Sequence, residues 1–135
     1  MLKLSRGLVD DMLAHCRSAY PKEACGLLAG SAQLGLAVEL YRMSNVEDSP
    51  IGYSMDPKEQ LRVDKQMRQK GQRLVAIYHS HTASPAYPSS VDVSLAISPE
   101  VSYVLVSLKD QAQPDIKSYH IDGTTVRPEE IAITP

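Results

Sequence analysis

Residues 73–81 read RLVAIYHSH, an apolar run that passes directly into two histidines. The β-branched and aromatic residues of this run, which follows Gly71, predict a buried strand. Because residues i and i+2 of an extended segment point to the same side, His79 and His81 can converge on one metal ion. The segment therefore predicts a strand that ends in a pair of metal ligands.

Cap signals predict a helix on each side of this strand. Asp56 followed by Pro57 is typical of a helix start, and Gly71 is typical of a helix end. Beyond the strand, Ser89 or Ser90 can cap a short helix that runs to residue 98.

The remaining apolar patterns complete a prediction of the fold. They indicate a helix over 5–20 capped by Ser5, strands over 24–30, 35–43, 101–108 and 116–121, and an edge segment over 126–133. Strands interrupted by helices and ending in a hairpin are typical of an α/β fold. We therefore expect a mixed sheet flanked by helices, in a single domain over residues 1–135.

Composition excludes several classes of protein. A net charge of −2 over 135 residues provides no basic face for nucleic acid and no polybasic patch for a membrane. No run approaches the ~18 apolar residues of a membrane span, and two aspartates follow the start too early for a signal peptide. Cys16 and Cys25 are too few for a disulfide framework. We expect a cytoplasmic protein, monomeric or homodimeric, without nucleic-acid or membrane partners.

Asp92 completes a candidate metal site. It lies eleven positions after His81, at the start of the short helix, and adds a carboxylate to the two imidazoles. Three such ligands leave a fourth tetrahedral position open, which is typical of catalytic rather than structural zinc. Two histidines and a carboxylate also form the facial triad of iron(II) oxygenases. That triad usually has the order His-X-carboxylate with a distant histidine, so iron is the alternative and zinc the prediction.

Two further residues can supply the proton transfer and charge stabilisation of a hydrolase. Glu23 precedes a buried strand, where its carboxylate can accept a proton from water and later donate it to a leaving amine. Ser89 lies three residues before Asp92, and its hydroxyl can cap the helix, donate to a developing oxyanion, or do both. Cys25 lies in an apolar run, where a thiol is typically a small buried hydrophobe rather than a nucleophile.

The full pattern resembles the JAMM (MPN-type) zinc metalloprotease motif. Residues 79–81 are followed by ten residues and then Asp92, with Ser89 inside that interval and Glu23 upstream. Residues 53–57, YSMDP, also resemble the segment before the second helix of that family. The resemblance implies the JAMM/MPN, cytidine deaminase-like architecture, with one zinc ion per chain on the two histidines and Asp92. It makes Glu23 the general acid and base, and Ser89 the oxyanion donor.

The resemblance also implies a substrate class. JAMM enzymes similar to this chain cleave peptide or isopeptide bonds after the C-terminal Gly-Gly of ubiquitin-like proteins. The chain has no spare Cys/His cluster for a second metal, so it resembles the small prokaryotic branch, whose partners are ubiquitin-like sulfur carriers. The expected function is zinc-dependent hydrolysis by an activated water, and the leaving group can be cysteine, a lysine side chain or a peptide. The alternative is a non-catalytic MPN-type binding module for a ubiquitin-fold partner.

Overall fold

The computed structural model describes residues 1–96 and 98–135, which form three helices and one eight-stranded sheet. The helices are α1 (Arg6–Ala19), α2 (Pro57–Gln69) and α3 (Ser90–Leu95). The strands are β1 (Leu2–Ser5), β2 (Cys25–Ser31), β3 (Leu36–Met43), β4 (Arg73–His81), β5 (Ser102–Ser107), β6 (Asp115–Asp122), β7 (Thr125–Glu129) and β8 (Ile131–Thr134). Their order across the sheet is β7-β6-β5-β4-β2-β3-β1-β8.

The pairing of the central strands determines which chain segments meet. Strand β5 runs parallel to β4 after the crossover through α3, whereas β2 runs antiparallel to β4 on its other side. Cys25, the first residue of β2, therefore pairs with His79 near the end of β4. The segment that precedes β2 thus lies beside the carboxyl end of β4, which is where the sequence places its candidate ligands.

The helices cover opposite faces of the sheet. Met12 and Cys16 of α1 pack with Leu28 and Tyr78 on one face, whereas α2 packs through Val63 on the other. The mixed sheet with flanking helices that the sequence predicts is confirmed. In the described ranges no helix combines the length and apolar character needed to cross a membrane.

The predicted helix caps are present. The Ser5 hydroxyl accepts from the backbone N–H of Leu8 at 3.1 Å, and the Asp56 carboxylate accepts from that of Lys58 at 3.0 Å. Gly71 adopts a left-handed φ of 69°, which glycine adopts without steric cost and which ends α2. These local signals locate helix ends because each satisfies backbone groups that the helix itself leaves unpaired.

Two sequence predictions differ from the structure, and one strand was not predicted. The short helix ends at Leu95 rather than at residue 98, and residue 97 lies outside the described residues. The tail is not one edge segment, because it divides at Glu130 into β7 and β8, which lie at opposite edges of the sheet. Strand β1 was not predicted. It has four residues and pairs with β3 and β8, so its stability comes from distant partners rather than from a local pattern.

Replacing Gly26 with Ala is expected to destabilise the fold by about 3 kcal/mol. Gly26 pairs with Tyr78 across β2 and β4, and a Cβ at this position would overlap the Tyr78 ring. The ring cannot move aside easily, because it is fully buried and its hydroxyl bonds to Nδ1 of His15 at 2.6 Å. Urea unfolding measures the change. Gly7→Ala is the matched control, since a Cβ there makes only an ordinary contact with Oγ of Ser5 at 3.8 Å and alanine favours the helix.

Candidate metal centre

Three side chains converge at the carboxyl end of β4. Nε2 of His79 lies 3.3 Å from Nε2 of His81, and both atoms face Oδ2 of Asp92, at 3.2 and 3.0 Å. The histidines are buried, whereas Asp92 is partly exposed on the first turn of α3. In the described ranges this is the one group of three or more His, Cys, Asp or Glu residues that meets the geometry of a metal site.

The second nitrogen of His81 shows which tautomer the ring adopts. Nδ1 lies 2.9 Å from the carbonyl oxygen of Pro85, which can only accept, so Nδ1 carries the proton. In the neutral ring Nε2 then presents a lone pair to the Asp92 carboxylate. Two acceptors at 3.0 Å repel unless a metal ion lies between them or the ring takes up a second proton, which then bonds to Asp92. A carbonyl that orients a histidine through its remote nitrogen is typical of metal ligation.

The separations fit a tetrahedral ion. Ligand bonds of about 2.0–2.1 Å to zinc give a tetrahedral edge of about 3.3–3.4 Å, close to the observed separations of 3.3, 3.2 and 3.0 Å between the ligand atoms. One cation at the centre of these atoms satisfies both histidines and Asp92 together. Two imidazoles and one carboxylate are also the donor types that catalytic zinc takes. The residues present therefore fit zinc.

The pKa shifts of His79 and Asp92 suit metal binding. Burial lowers the pKa of His79, which favours the neutral ring that a metal requires. Burial raises the pKa of Asp92, but hydrogen bonds from His79 and His81 outweigh burial and hold the pKa well below its usual range. Burial lowers the pKa of His81, but hydrogen bonds with Asp92 and Pro85 raise it overall, so without a metal this ring can itself carry the positive charge beside Asp92.

Asp92 is positioned by a capping box at the start of α3. Its backbone N–H donates to the Ser89 hydroxyl at 3.1 Å, and the Ser89 backbone N–H donates to Oδ2 of Asp92 at 2.8 Å. Ser89 is therefore the helix cap that the sequence suggested as one of its roles. The hydroxyl accepts in this bond, so its own hydrogen remains to be donated. Ser89 is exposed, and a bound molecule can reach it.

Glu23 lies beside this cluster. The adjacent residue Ala24 bonds twice to Ser80, which stands between the two histidines: its N–H donates to Oγ of Ser80 at 2.8 Å, and its carbonyl accepts from the Ser80 N–H at 3.0 Å. Glu23 is only 6% exposed. Burial raises the pKa of its carboxyl to about 7, since the negative charges of Asp92 and Glu47 add to burial while His81 opposes them.

The structure adds two groups that sequence reasoning missed. The Tyr53 ring lies against that of His79 with centroids 4.6 Å apart, so it limits the orientations of this imidazole. Tyr53 belongs to the segment 53–57 that resembles the family, but nothing in the sequence assigned its aromatic ring a role. The second group is the carbonyl of Pro85, which holds His81. Any residue type supplies a backbone carbonyl, so the sequence contains no signal for it.

The family model described as prokaryotic homologs of the JAB domain matches residues 5–122. The chain belongs to this family. The JAMM/MPN resemblance seen in the sequence is thereby confirmed, and it covers most of the chain. The "CysO-cysteine peptidase" of Mycobacterium tuberculosis is 41% identical over 133 residues, which are 98% of this chain and 91% of the relative. The "probable TtuB-protein conjugate cleaving protease" of Thermus thermophilus is 38% identical over 97 residues, 71% of this chain and 64% of that protein.

Solved structures show the same JAB architecture. The solution structure of a Desulfitobacterium hafniense protein superposes with a TM-score of 0.91 at 40% identity, and the match covers 99% of this chain and 93% of that protein. A JAB1/MPN domain protein from Archaeoglobus fulgidus superposes with a TM-score of 0.64 at 22% identity, covering 98% and 97% of the two chains. The second likeness concerns the fold alone.

Proposed function

We propose that this chain is a zinc metallopeptidase that hydrolyses the bond after the C-terminal Gly-Gly of a ubiquitin-like sulfur carrier. The convergence of His79, His81 and Asp92 beside a buried Glu23 is the observation that supports this proposal most strongly. The names of the two relatives, a peptidase and a conjugate cleaving protease, support hydrolysis of carrier conjugates. The requirement for Gly-Gly is what the family motif implies, and the roles of single residues rest on the site residues together with that motif.

Glu23 is the proton carrier of the proposed reaction. Zinc, when bound on His79, His81 and Asp92, supplies Lewis acidity, which acidifies water and polarises the scissile carbonyl. Burial brings the Glu23 carboxyl to a pKa of about 7, so near neutral pH it can take a proton from the attacking water and release it again. The same carboxyl then protonates the leaving amine.

Ser89 is the proposed donor to the carbonyl oxygen. The hydroxyl is fixed at the start of α3 by the N–H of Asp92, so it is oriented before substrate binds. A donor held in this way stabilises the charge that the oxygen gains as water attacks. The Ser89 hydroxyl therefore does not have to change its position during the reaction.

Cleavage of a defined carrier tests the proposed function. The probe is a recombinant ubiquitin-fold sulfur carrier whose Gly-Gly terminus is extended by cysteine or by a short peptide, with mass spectrometry of the product. Zinc-loaded protein is expected to cut once, after the second glycine, and not to cut a carrier that ends in Ala-Ala plus the same extension. Protein stripped by a chelator is expected to be inactive and to recover with zinc. Stable carrier binding at full zinc occupancy without any cut would instead support the non-catalytic binding module.

Replacing Ser89 with Gly is expected to lower kcat about 10²–10³-fold, as loss of one oxyanion donor does in other hydrolases. Glycine is a tolerated N-cap and costs only a few tenths of a kcal/mol relative to serine, so α3 and Asp92 should stay in place. Zinc affinity, measured by competition with a chromogenic chelator, should therefore change little. A Ser89→Gly variant with normal kcat would leave Ser89 as a cap alone, and Ser89→Thr should recover activity because it restores the hydroxyl.

A further inference from the structure

The backbone of Glu23 lies outside the sheet. Strand β2 begins at Cys25, so the ladder between β2 and β4 does not extend to Glu23. The Glu23 N–H donates to the carbonyl oxygen of Ser49 at 2.9 Å, and the Glu23 carbonyl accepts from Nδ2 of Asn45 at 3.0 Å. Both backbone groups of Glu23 are therefore bonded to one loop, residues 45–54, which lies between β3 and α2.

The side-chain amide of Asn45 organises this loop. Its Nδ2 donates to the carbonyl oxygens of Glu23 and Gly52, both at 3.0 Å. Its Oδ1 accepts from the backbone N–H groups of Glu47 and Ser54, also at 3.0 Å. Because carbonyls can only accept and N–H groups can only donate, these partners fix the orientation of the amide. Both donor hydrogens and both acceptor positions of the amide are used, and one of the four bonds leaves the loop to reach Glu23.

The same loop contacts the metal centre at two points. Tyr53 lies between Gly52 and Ser54, the two neighbours that the amide holds, and its ring packs against that of His79 with centroids 4.6 Å apart. The hydroxyl of Thr82, the residue after β4, donates to the carbonyl oxygen of Pro50 in the loop at 3.0 Å. The loop that bonds to the Glu23 backbone is therefore itself fixed to the strand that supplies two ligands.

We propose that Asn45 is a positioning residue that holds Glu23 at the distance from the metal centre that proton transfer requires. This step rests on the proposed function, in which Glu23 moves the proton. A proton carrier must lie within hydrogen-bond reach of the reacting water. Without the amide of Asn45, the Glu23 carbonyl loses its donor and the loop loses three internal bonds, so the carboxyl can move away while the three ligands stay in place.

Replacing Asn45 with Ala is expected to lower kcat about 10²-fold, since a displacement of about 1 Å has an effect of this size. The substrate is the carrier extended after Gly-Gly by a short peptide, and KM for it should stay within about threefold of wild type, because Asn45 acts through Glu23 rather than on the substrate. Zinc affinity, measured by competition with a chromogenic chelator, should change little, because the amide bonds to Glu23 and to its own loop rather than to the ligands.

Gln72→Ala is the matched control for the loss of a side-chain amide. Oε1 of Gln72 accepts from the Tyr41 hydroxyl at 2.9 Å, and Nε2 donates to the Glu39 carboxylate at 2.9 Å. Gln72 immediately precedes β4, at the end of that strand opposite to the ligands. Its replacement should lower stability in urea unfolding and leave kcat unchanged.

The Glu23→Gln background separates positioning from a general structural role. Gln cannot transfer the proton, so the exact placement of residue 23 no longer limits the rate in that background. Asn45→Ala should therefore lower the single-turnover rate of Glu23→Gln by no more than about threefold, although it lowers that of the wild-type chain about 10²-fold. If Asn45 only folded its own loop, the rate would fall by the same factor in both backgrounds.

Asn45→Ser is a milder second variant. A serine hydroxyl can accept from the N–H of Glu47, two residues on, and so keep the local turn, but it is too short to replace the bond to the Glu23 carbonyl. Asn45→Ser should show the same loss of kcat, and the same absence of further loss in the Glu23→Gln background. The comparison is made on Asn45→Ser if Asn45→Ala does not show the zinc-dependent rise in Tm of a folded chain.

The outcomes separate this inference from the proposed function. Wild-type kcat in the Asn45 variants, an equal loss in both backgrounds, or loss of the fold in both variants would overturn the positioning role while the proposed function stands. Failure of zinc-loaded wild type to cut the carrier, or full turnover by Glu23→Gln, would overturn the proposed function and this inference with it. A loss of kcat that requires Glu23, with KM and zinc affinity retained, would support both.

Discussion

Replacing Glu23 with Gln should reduce turnover about 10³-fold or more while zinc remains bound. Gln has nearly the shape of Glu but cannot carry a proton between the water and the leaving amine. Glu23 is not one of the three converging ligands, so the change should leave zinc stoichiometry, measured by mass spectrometry of the metal, at wild-type values. Burial of the carboxylate opposes folding at neutral pH, so the variant should be no less stable than wild type.

The control for Glu23 is a nearby acidic residue without a role in the reaction. Glu47 is exposed and acts on Glu23 only through its charge, which contributes to the raised pKa of Glu23. Glu47→Gln should therefore change turnover by no more than about threefold, because exposed charges are screened by solvent. Loss of zinc from Glu23→Gln would contradict the assignment, since it would make Glu23 a ligand rather than a proton carrier.

The part of the fold that the sequence predicts is the part encoded by local signals. The capped start of α2 at Asp56 and the apolar run of β4 each stabilise their own element, so both are found near the predicted bounds. β1 and β8 pair with each other from opposite ends of the chain, with Leu2 beside Ile131. That pairing depends on register between distant strands, which no local pattern contains.

The candidate site also has one part that local signals predict and another part that they do not. His79, His81 and Asp92 could be predicted because a strand periodicity and a helix cap bring them together over a short stretch of sequence. The approach of Glu23 depends on β2 being the antiparallel neighbour of β4, a fact of topology that no local pattern contains. The contact of Tyr53 with His79 has the same origin, since it joins a loop to a strand across the fold.

Replacing His81 with Ala should remove zinc and activity together. His81 provides one of three ligands. The carbonyl of Pro85 already orients its ring, so metal binding does not have to order this side chain. Alanine leaves His79 and Asp92, and two protein ligands hold zinc far more weakly than three. Metal analysis after purification in trace zinc should find about one ion per wild-type chain and almost none in the variant.

Thermal unfolding gives a second measurement that does not depend on catalysis. A ligand that binds the folded chain stabilises it by RT ln(1 + [L]/Kd), so zinc at about 100 times Kd adds about 2.7 kcal/mol. The Tm of metal-free wild type should therefore rise when zinc is added, and the Tm of His81→Ala should not. His120→Gln is the matched control, because His120 bonds to Glu129 at 2.7 Å on β7, away from the three ligands, and it should retain the zinc-dependent rise. Full zinc occupancy in His81→Ala would contradict the three-ligand site and with it the proposed reaction, because the remaining ligands would have to be different residues.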